Sequence, residues 1–403
     1  MQIADRLKPL QTNVFADMDS AKASAIAAGK SIMDLSLGSS DLPTPPHVLD
    51  AISFALTDPE THGYALFNST HDFRVAAAQW TEQKFGISVD PETEVLPLIG
   101  SQEGTAHLPL AIMNPGDTAL LLDPGYPSHA GGVYLAGGSI YSMPILAENN
   151  FLPVLADIPS GVLKKARMMV LSYPHNPTTA SAPLAFFKEA VAFCQQHGIV
   201  LTHDFPYVDL FFDGNPVPSV LQADLDKSVS IEFFTLSKSY NMGGFRVGYA
   251  VGNAALIKAL RQVKATVDFN QYRGILRGAI AALTGPQDCV VQTVETFASR
   301  RNAAVAALQS IGWDVPMPEA PMYFWAKLPE TLPYDWAQRS IEICTKLVAE
   351  TGVALSPGRG FGPSGEGYVR FALVQSPDEL RLAIQKIGEF ISRSSKDSMN
   401  KFN

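Results

Sequence analysis

Cysteine is almost missing from this sequence: its 403 residues hold three, Cys194, Cys289 and Cys344, far apart and odd in number. That excludes a disulfide framework and points to a reducing compartment, with each thiol read as core filler. Long apolar runs are missing as well. No window reaches the roughly 18 uninterrupted apolar residues of a membrane span, and the opening MQIADRLKPLQ has neither an apolar h-region nor a cleavage site. A cytoplasmic protein without a membrane partner is expected. Basic charge is in deficit, 30 Lys+Arg against 39 Asp+Glu for a net -9, so the diffuse positive footprint that holds nucleic acid or anionic lipid is absent. A local positive pocket for a small anion remains open. The eight histidines show no metal-ligand spacing such as HExxH, there is no GxSxG, and neither repeats nor low-complexity segments occur.

What is present is ordinary globular composition, 46% apolar and 17% charged, at a length that suits about two or three domains. Residues 16 to 28 have helix-forming composition closed by Gly29, and SIMDLSLGSSDLPTPP after them cannot be helix. From about residue 94 to 252 short apolar runs alternate with segments of helical period. The runs EVLPLI, TALLLD, ARMMVLSY, GIVLTHD, SIEFFTL and RVGYAVG are mostly continuous in apolar residues, as strands covered on both faces of a mainly parallel α/β sheet are. After residue 253 the pattern turns helical, with TGP at 284 to 286 as a candidate boundary. A smaller unit follows, with MYFWAKL, TGVALSP and GYVRFAL as strands, helices at about 334 to 350 and 377 to 393, and a frayed tail SRSSKDSMNKFN.

Ligands of open α/β sheets collect at the carboxyl ends of the strands, where loops meet helix N-termini. Five successive exits carry chemistry: Ser101 and Gln102 after EVLPLI, Tyr126 after TALLLD, Asn176 after ARMMVLSY, Asp204 and Tyr207 after GIVLT, and Thr235, Ser237 and Lys238 after SIEFF. Each has an ordinary structural explanation, since Asn-Pro makes turns, Asp caps, and Tyr after Pro-Gly packs. Together with Arg246 they supply an amine, an acid, an amide, phenols, hydroxyls beside a helix start and a guanidinium. That inventory fits a phosphorylated aromatic cofactor held by its phosphate, its ring face and its ring nitrogen, and bound covalently through a carbonyl. The run Gly360-Phe361-Gly362-Pro363-Ser364-Gly365 matches GxGxxG, but a strand pattern follows it where a dinucleotide site needs a helix start, so a nicotinamide site is rejected.

TLSKSYNMGGFRVGY resembles the lysine signature of class I/II pyridoxal-phosphate-dependent aminotransferases of fold type I. The likeness spans nearly the whole chain through LSLGSSDLPTP, GYALFNSTHDFR, GSQEG, NPGDTALLLDPGYP, PHNPT, HDFPY and SPGRGFGPSGEGYVRFAL. VFADMD, HDFPYVDLFFDG and APMYFWAKLP look closest to the alanine and LL-diaminopimelate aminotransferase branch. The resemblance implies an N-terminal arm with part of a small domain at 1–45, a large cofactor domain at 46–284 and a C-terminal small α+β domain at 285–403. It implies a homodimer with shared active sites and ping-pong transfer of an amino group from an L-amino acid to a 2-oxo acid. A β-lyase or decarboxylase on the same fold is the alternative.

On this resemblance Lys238 holds pyridoxal 5'-phosphate as a Schiff base and shuttles the Cα proton, and Arg246, Thr235, Ser237, Ser101 and Gln102 hold the phosphate. Tyr64 is contributed by the partner subunit. Asp204 pairs with the pyridinium nitrogen, Asn176 and Tyr207 meet the ring's phenolic oxygen, and Tyr126 stacks on the ring. Arg370 grips the substrate α-carboxylate, with Asn176 and the backbone at Gly38 closing the other side. Arg273 is a candidate by position for a second carboxylate. Ser40, Thr179 and Phe205-Pro206 depart from the family pattern and are expected to line or border the substrate side.

Overall fold

The computed structural model describes residues 3–10, 14–332 and 339–399. Its strands in chain order are β1 (Met33–Asp34), β2 (Val95–Leu98), β3 (Thr118–Asp123), β4 (Ser139–Pro144), β5 (Ala166–Leu171), β6 (Val200–Asp204), β7 (Ser230–Thr235), β8 (Gly248–Gly252), β9 (Tyr323–Lys327), β10 (Val353–Ala354), β11 (Ser356–Pro357) and β12 (Tyr368–Ala372). Seven of them form one sheet in the order β2-β8-β7-β6-β5-β3-β4. Only β8 runs against its neighbours, antiparallel to both β2 and β7. The remaining strands therefore point one way, and their carboxyl ends share one edge.

The predicted continuous apolar runs are the interior strands, and the reason is visible in how their residues alternate. Met169 and Leu171 of β5 pack with Phe187 and Ala190 of the helix Leu184–His197 on one face, while Met168 and Val170 pack with Leu108 and Val133 on the other. Both faces are buried, so neither can be polar. Strand β4 escaped the sequence reading because SIYSMP is an edge strand, half of it exposed, without an apolar run.

A second body surrounds the three-stranded antiparallel sheet β11-β12-β9 and the helices Asp288–Ser310, Ser340–Thr351 and Pro377–Met399. Strand β1 joins this body by pairing in parallel with β10, Met33 opposite Val353. The N-terminal segment thus returns to the C-terminal half of the chain. The helix expected from about 334 starts in residues outside those described, and its described part begins at Ser340. The last helix continues to Met399, so residues 392–399 of the expected frayed tail are helical.

Candidate active site

Every predicted site residue except Tyr64 and the candidate Arg273 lines one cavity of about 460 Å³, between the carboxyl edge of the large sheet and the segments around β1 and β12. Asp204 ends β6 and is buried. Its Oδ2 lies 2.9 Å from Nε2 of the buried His129, while its Oδ1 is buried with no partner. A buried carboxylate oxygen left without a donor costs free energy unless something else supplies one.

The helix Ser101–Ile112 starts at the cavity without any side-chain cap, so its first N–H groups need partners from outside the helix. Gly100 before it, at φ +73, is required by contact as well as by backbone: a Cβ there would lie 2.6 Å from Arg246 Nη2. Arg246 itself sits in the left-handed region, φ 51 and ψ 59, and donates to the Gly243 carbonyl at 3.1 Å. Thr235 Oγ1 and Ser237 Oγ, 2.9 Å apart, complete this end. The ammonium of Lys238 donates to the Gly38 carbonyl from across the cavity.

At the other end Arg370 on β12 is 4% exposed. Its guanidinium donates to Asn176 Oδ1 at 2.8 Å, the Ser36 carbonyl at 2.7 Å and Ser356 Oγ at 3.1 Å, and Nε has no partner. The Tyr323 and Phe361 rings flank it at 4.5 and 4.8 Å. Among the described residues no carboxylate forms an ion pair with Arg370, Arg246 or Lys238, although all three face the cavity. A surface salt bridge for Arg370 is thereby ruled out. Tyr207 is buried, its hydroxyl 2.9 Å from that of Tyr323, and burial together with this phenol pushes its pKa well up.

The structure also brings in residues that sequence reasoning missed. His129 is one turn past Tyr126 and had no signal, Tyr323 was read only as part of a core strand, and Met18, Asp19 and Lys22 reach the cavity mouth from the helix Val14–Ala27. Lys22 there bonds Asp34 at 3.0 Å and Asp19 at 2.8 Å. Of the positions that depart from the family pattern, only Pro206 lines the cavity. Phe205 points the other way along the pleat and packs fully buried against His203 and Phe234, Ser40 bonds Asn241 at 2.7 Å, and Thr179 turns the chain at φ 64. Arg273 does not line the cavity; its guanidinium donates to the Glu60 carbonyl.

Residues 30–387 match the model of the aminotransferase class I and II family. The chain belongs to that family. This aminotransferase is 42% identical to the LL-diaminopimelate aminotransferase of Dehalococcoides mccartyi over 98% of its own length and 100% of the relative's. It is also 42% identical to LL-diaminopimelate aminotransferase 2 of a Nostoc species, over 96% and 98%. Among solved structures it resembles a probable N-succinyldiaminopimelate aminotransferase from Thermus thermophilus, with TM-score 0.87, 41% identity and coverage of 93% and 99%. BacF from Bacillus subtilis aligns with TM-score 0.91, 32% identity and coverage of 97% and 98%.

The enzyme is therefore a pyridoxal-phosphate-dependent transaminase of fold type I, and the residues at its cavity fit the cofactor. Asp204 Oδ1 is an orphaned acceptor for a ring N–H, and the uncapped helix start with Arg246 forms a cradle for an anion.

Proposed function

We propose that the chain transfers an amino group between a 2-oxo acid and an amino acid whose far end carries a second amino-acid group, of the LL-diaminopimelate type. One observation carries the reading: three cavity-facing cations without carboxylate partners and one carboxylate with a free oxygen share a single cavity. Arg370 and Asp204 are buried, where uncompensated charge is expensive, and with the more open Lys238 and Arg246 they mark where charged ligand groups complete the structure.

In this reading pyridoxal phosphate, when bound, supplies the electrophilic carbon and the electron sink. Lys238 holds it and moves the Cα proton. Arg246, Ser101, Gln102, Thr235 and Ser237 bind its phosphate, Asp204 holds a proton at the ring nitrogen through Oδ1, and His129 orients that carboxylate through Oδ2. Asn176 and Tyr207 meet the ring's phenolic oxygen, and Tyr126 covers the ring face. Arg370 binds the substrate α-carboxylate beside Asn176 and the Gly38 backbone, with two parallel N–H donors favouring a planar anion. In the cavity lining Asp19 and Lys22 present both signs of charge, which suits a zwitterionic far end.

The same reading divides the chain at about residues 45 and 285, supported by the pairing of β1 with β10. It makes the enzyme a homodimer in which Tyr64, 86% exposed and beside the exposed Phe269, enters the partner's cavity. The exposed Phe54, Leu66 and Val267 add apolar surface for a second copy. Free thiols at Cys194, Cys289 and Cys344 support a cytoplasmic enzyme.

The test is the visible spectrum of the purified holoenzyme during addition of single amino acids without an oxo-acid acceptor. LL-diaminopimelate is expected to convert the lysine-bound absorption fastest, ahead of alanine and glutamate. Conversion by alanine or glutamate alone would replace the substrate class, and accumulation of pyruvate and ammonia without acceptor would replace transamination by elimination. Sedimentation that shows a monomer at assay concentration would end the shared-site reading of Tyr64.

A further inference from the structure

The glycine-rich stretch that imitates a dinucleotide loop has a different use. Residues 358–365 leave β11, make two short 3-10 turns, Gly358–Phe361 and Pro363–Gly365, and return to β12. Their glycines answer to packing. A Cβ on Gly358 would lie 2.0 Å from the Gly365 carbonyl and one on Gly365 would lie 2.2 Å from that of Gly358, so the two backbones press together. Gly362, at φ +133, would put a Cβ 2.1 Å from Asp123 Oδ1.

Asp123 belongs to the other body: it is the last residue of β3, buried at the carboxyl edge of the large sheet. Both its oxygens are taken by one residue of the loop, Oδ1 by the Ser364 N–H at 3.1 Å and Oδ2 by the Ser364 hydroxyl at 3.0 Å. Beside them the Gly125 N–H donates to the Phe361 carbonyl at 2.7 Å. On its far side the loop is tied to the smaller body, where the Arg359 N–H donates to Ser340 Oγ at 3.2 Å and Glu366 Oε1 accepts from the Ser340 N–H at 2.8 Å. Two side chains that line the cavity are set by these bonds: Phe361, under the Arg370 guanidinium, and Tyr126, next in sequence to Gly125.

We propose that Asp123 is a positioning residue, clasping the 358–365 loop through Ser364 so that Phe361 holds Arg370 in the orientation that receives the substrate carboxylate. The inference rests on the role given above to Arg370. Of the residues that meet the cofactor only Tyr126 adjoins the clasp, and the lysine, phosphate and ring-nitrogen contacts lie on other elements, so loss of the clasp changes how firmly substrate is bound far more than how firmly cofactor is bound. Hydrogen bonds to a charged acceptor are among the stronger ones; removing them from a site that acts through orientation is felt in binding.

The experiment compares wild type with Ser364→Ala, Asp123→Asn and the double variant Asp123→Asn/Ser364→Ala, as holoenzymes. The readouts are KM and kcat for the preferred amino donor, the visible absorption of the bound cofactor, and its dissociation constant. Ser364→Ala is expected to raise KM by about threefold and Asp123→Asn by about tenfold, with kcat within about twofold and the cofactor absorption and affinity unchanged. The double variant is expected to match Asp123→Asn, because both act through one clasp. Unchanged KM in the folded variants would overturn the proposal, as would a parallel loss of cofactor affinity, which marks general disruption, or additive effects in the double variant. Arg370→Lys run alongside separates the two claims. If it leaves KM unchanged, the role of Arg370 fails first; if it raises KM and the clasp variants do not, the clasp alone is wrong.

Discussion

His203 and Asp204 are neighbours on β6, point to opposite faces of the sheet, and are both buried beside a partner of opposite character. Behind the sheet, His203 Nδ1 lies 2.6 Å from Glu232 Oε1, and that carboxylate also accepts from the Val220 N–H at 3.0 Å and from the Ser219 hydroxyl. His203 Nε2 accepts from the Tyr173 N–H at 3.1 Å. Every valence in that network is filled from within the chain. In front of the sheet Asp204 has His129 on one oxygen and nothing on the other. Two buried carboxylate–imidazole pairs one residue apart thus differ in one respect, closure. The closed pair ties β6 to β7 and to the turn at Ser219, whereas the open pair leaves an acceptor facing the cavity for a ligand atom.

The comparison breaks most visibly at Asp204. Asp204→Ala is expected to lower kcat/KM by about a thousandfold, with a smaller loss of stability than Glu232→Ala, because one oxygen is unpaired and only His129 loses a partner. A fall under tenfold would put Asp204 in the same class as Glu232. Glu232→Ala should do the reverse: urea unfolding should show a loss of about 3–5 kcal/mol, the cost of stranding buried partners, while the specific activity of the folded fraction stays near wild type. His129→Asn sits between them, with turnover down by about tenfold, since the carboxylate remains but loses its orienting partner.

A titration sharpens the contrast further. His175, fully buried beside the Asn176 exit and bonded to Thr178 at 2.8 Å, is pushed by burial, and then by nearby His129, down to about 3 from the usual 6.5. The unfolded chain therefore takes up this proton first as pH falls. The contribution of His175 is complete above pH 6.5 and is lost progressively as pH drops toward 3, at up to about 1.4 kcal/mol per pH unit. His175→Gln should flatten the acid limb of stability by one proton, measured by denaturation at several pH values. The smallest effect belongs to Thr179→Gly: the site has φ 64, its N–H bond to the His175 carbonyl survives, and relief of the left-handed strain should raise stability by about 1 kcal/mol or less.

Much of this was legible along the chain because the signals are local. A strand buried on both faces must be continuously apolar, so EVLPLI through RVGYAVG declared themselves, and the polar residues at their ends then had to lie on one edge. The edge strand β4 gave no such signal, since one side of it meets water. Spacing could not reveal His129 or Tyr323, because each meets a residue remote in sequence, nor Asp19 and Lys22, which reach the cavity from a helix far along the chain from the strand exits. Phe205 was misjudged for the same reason: pleat direction decided where it points.

By itself the order of residues determined the burial of the large sheet, the five chemistry-bearing exits and the placing of Lys238 and Arg246 after β7, because apolar runs and turn residues act over a few positions. Only the tertiary structure decided that Asp204 keeps one oxygen free while Glu232 keeps none, that Arg370 is buried without a carboxylate, and that a glycine-rich loop serves as a clasp on Asp123. Those are statements about which groups are left unpaired or are brought together across the cavity, and pairing depends on distances between elements that no local pattern contains.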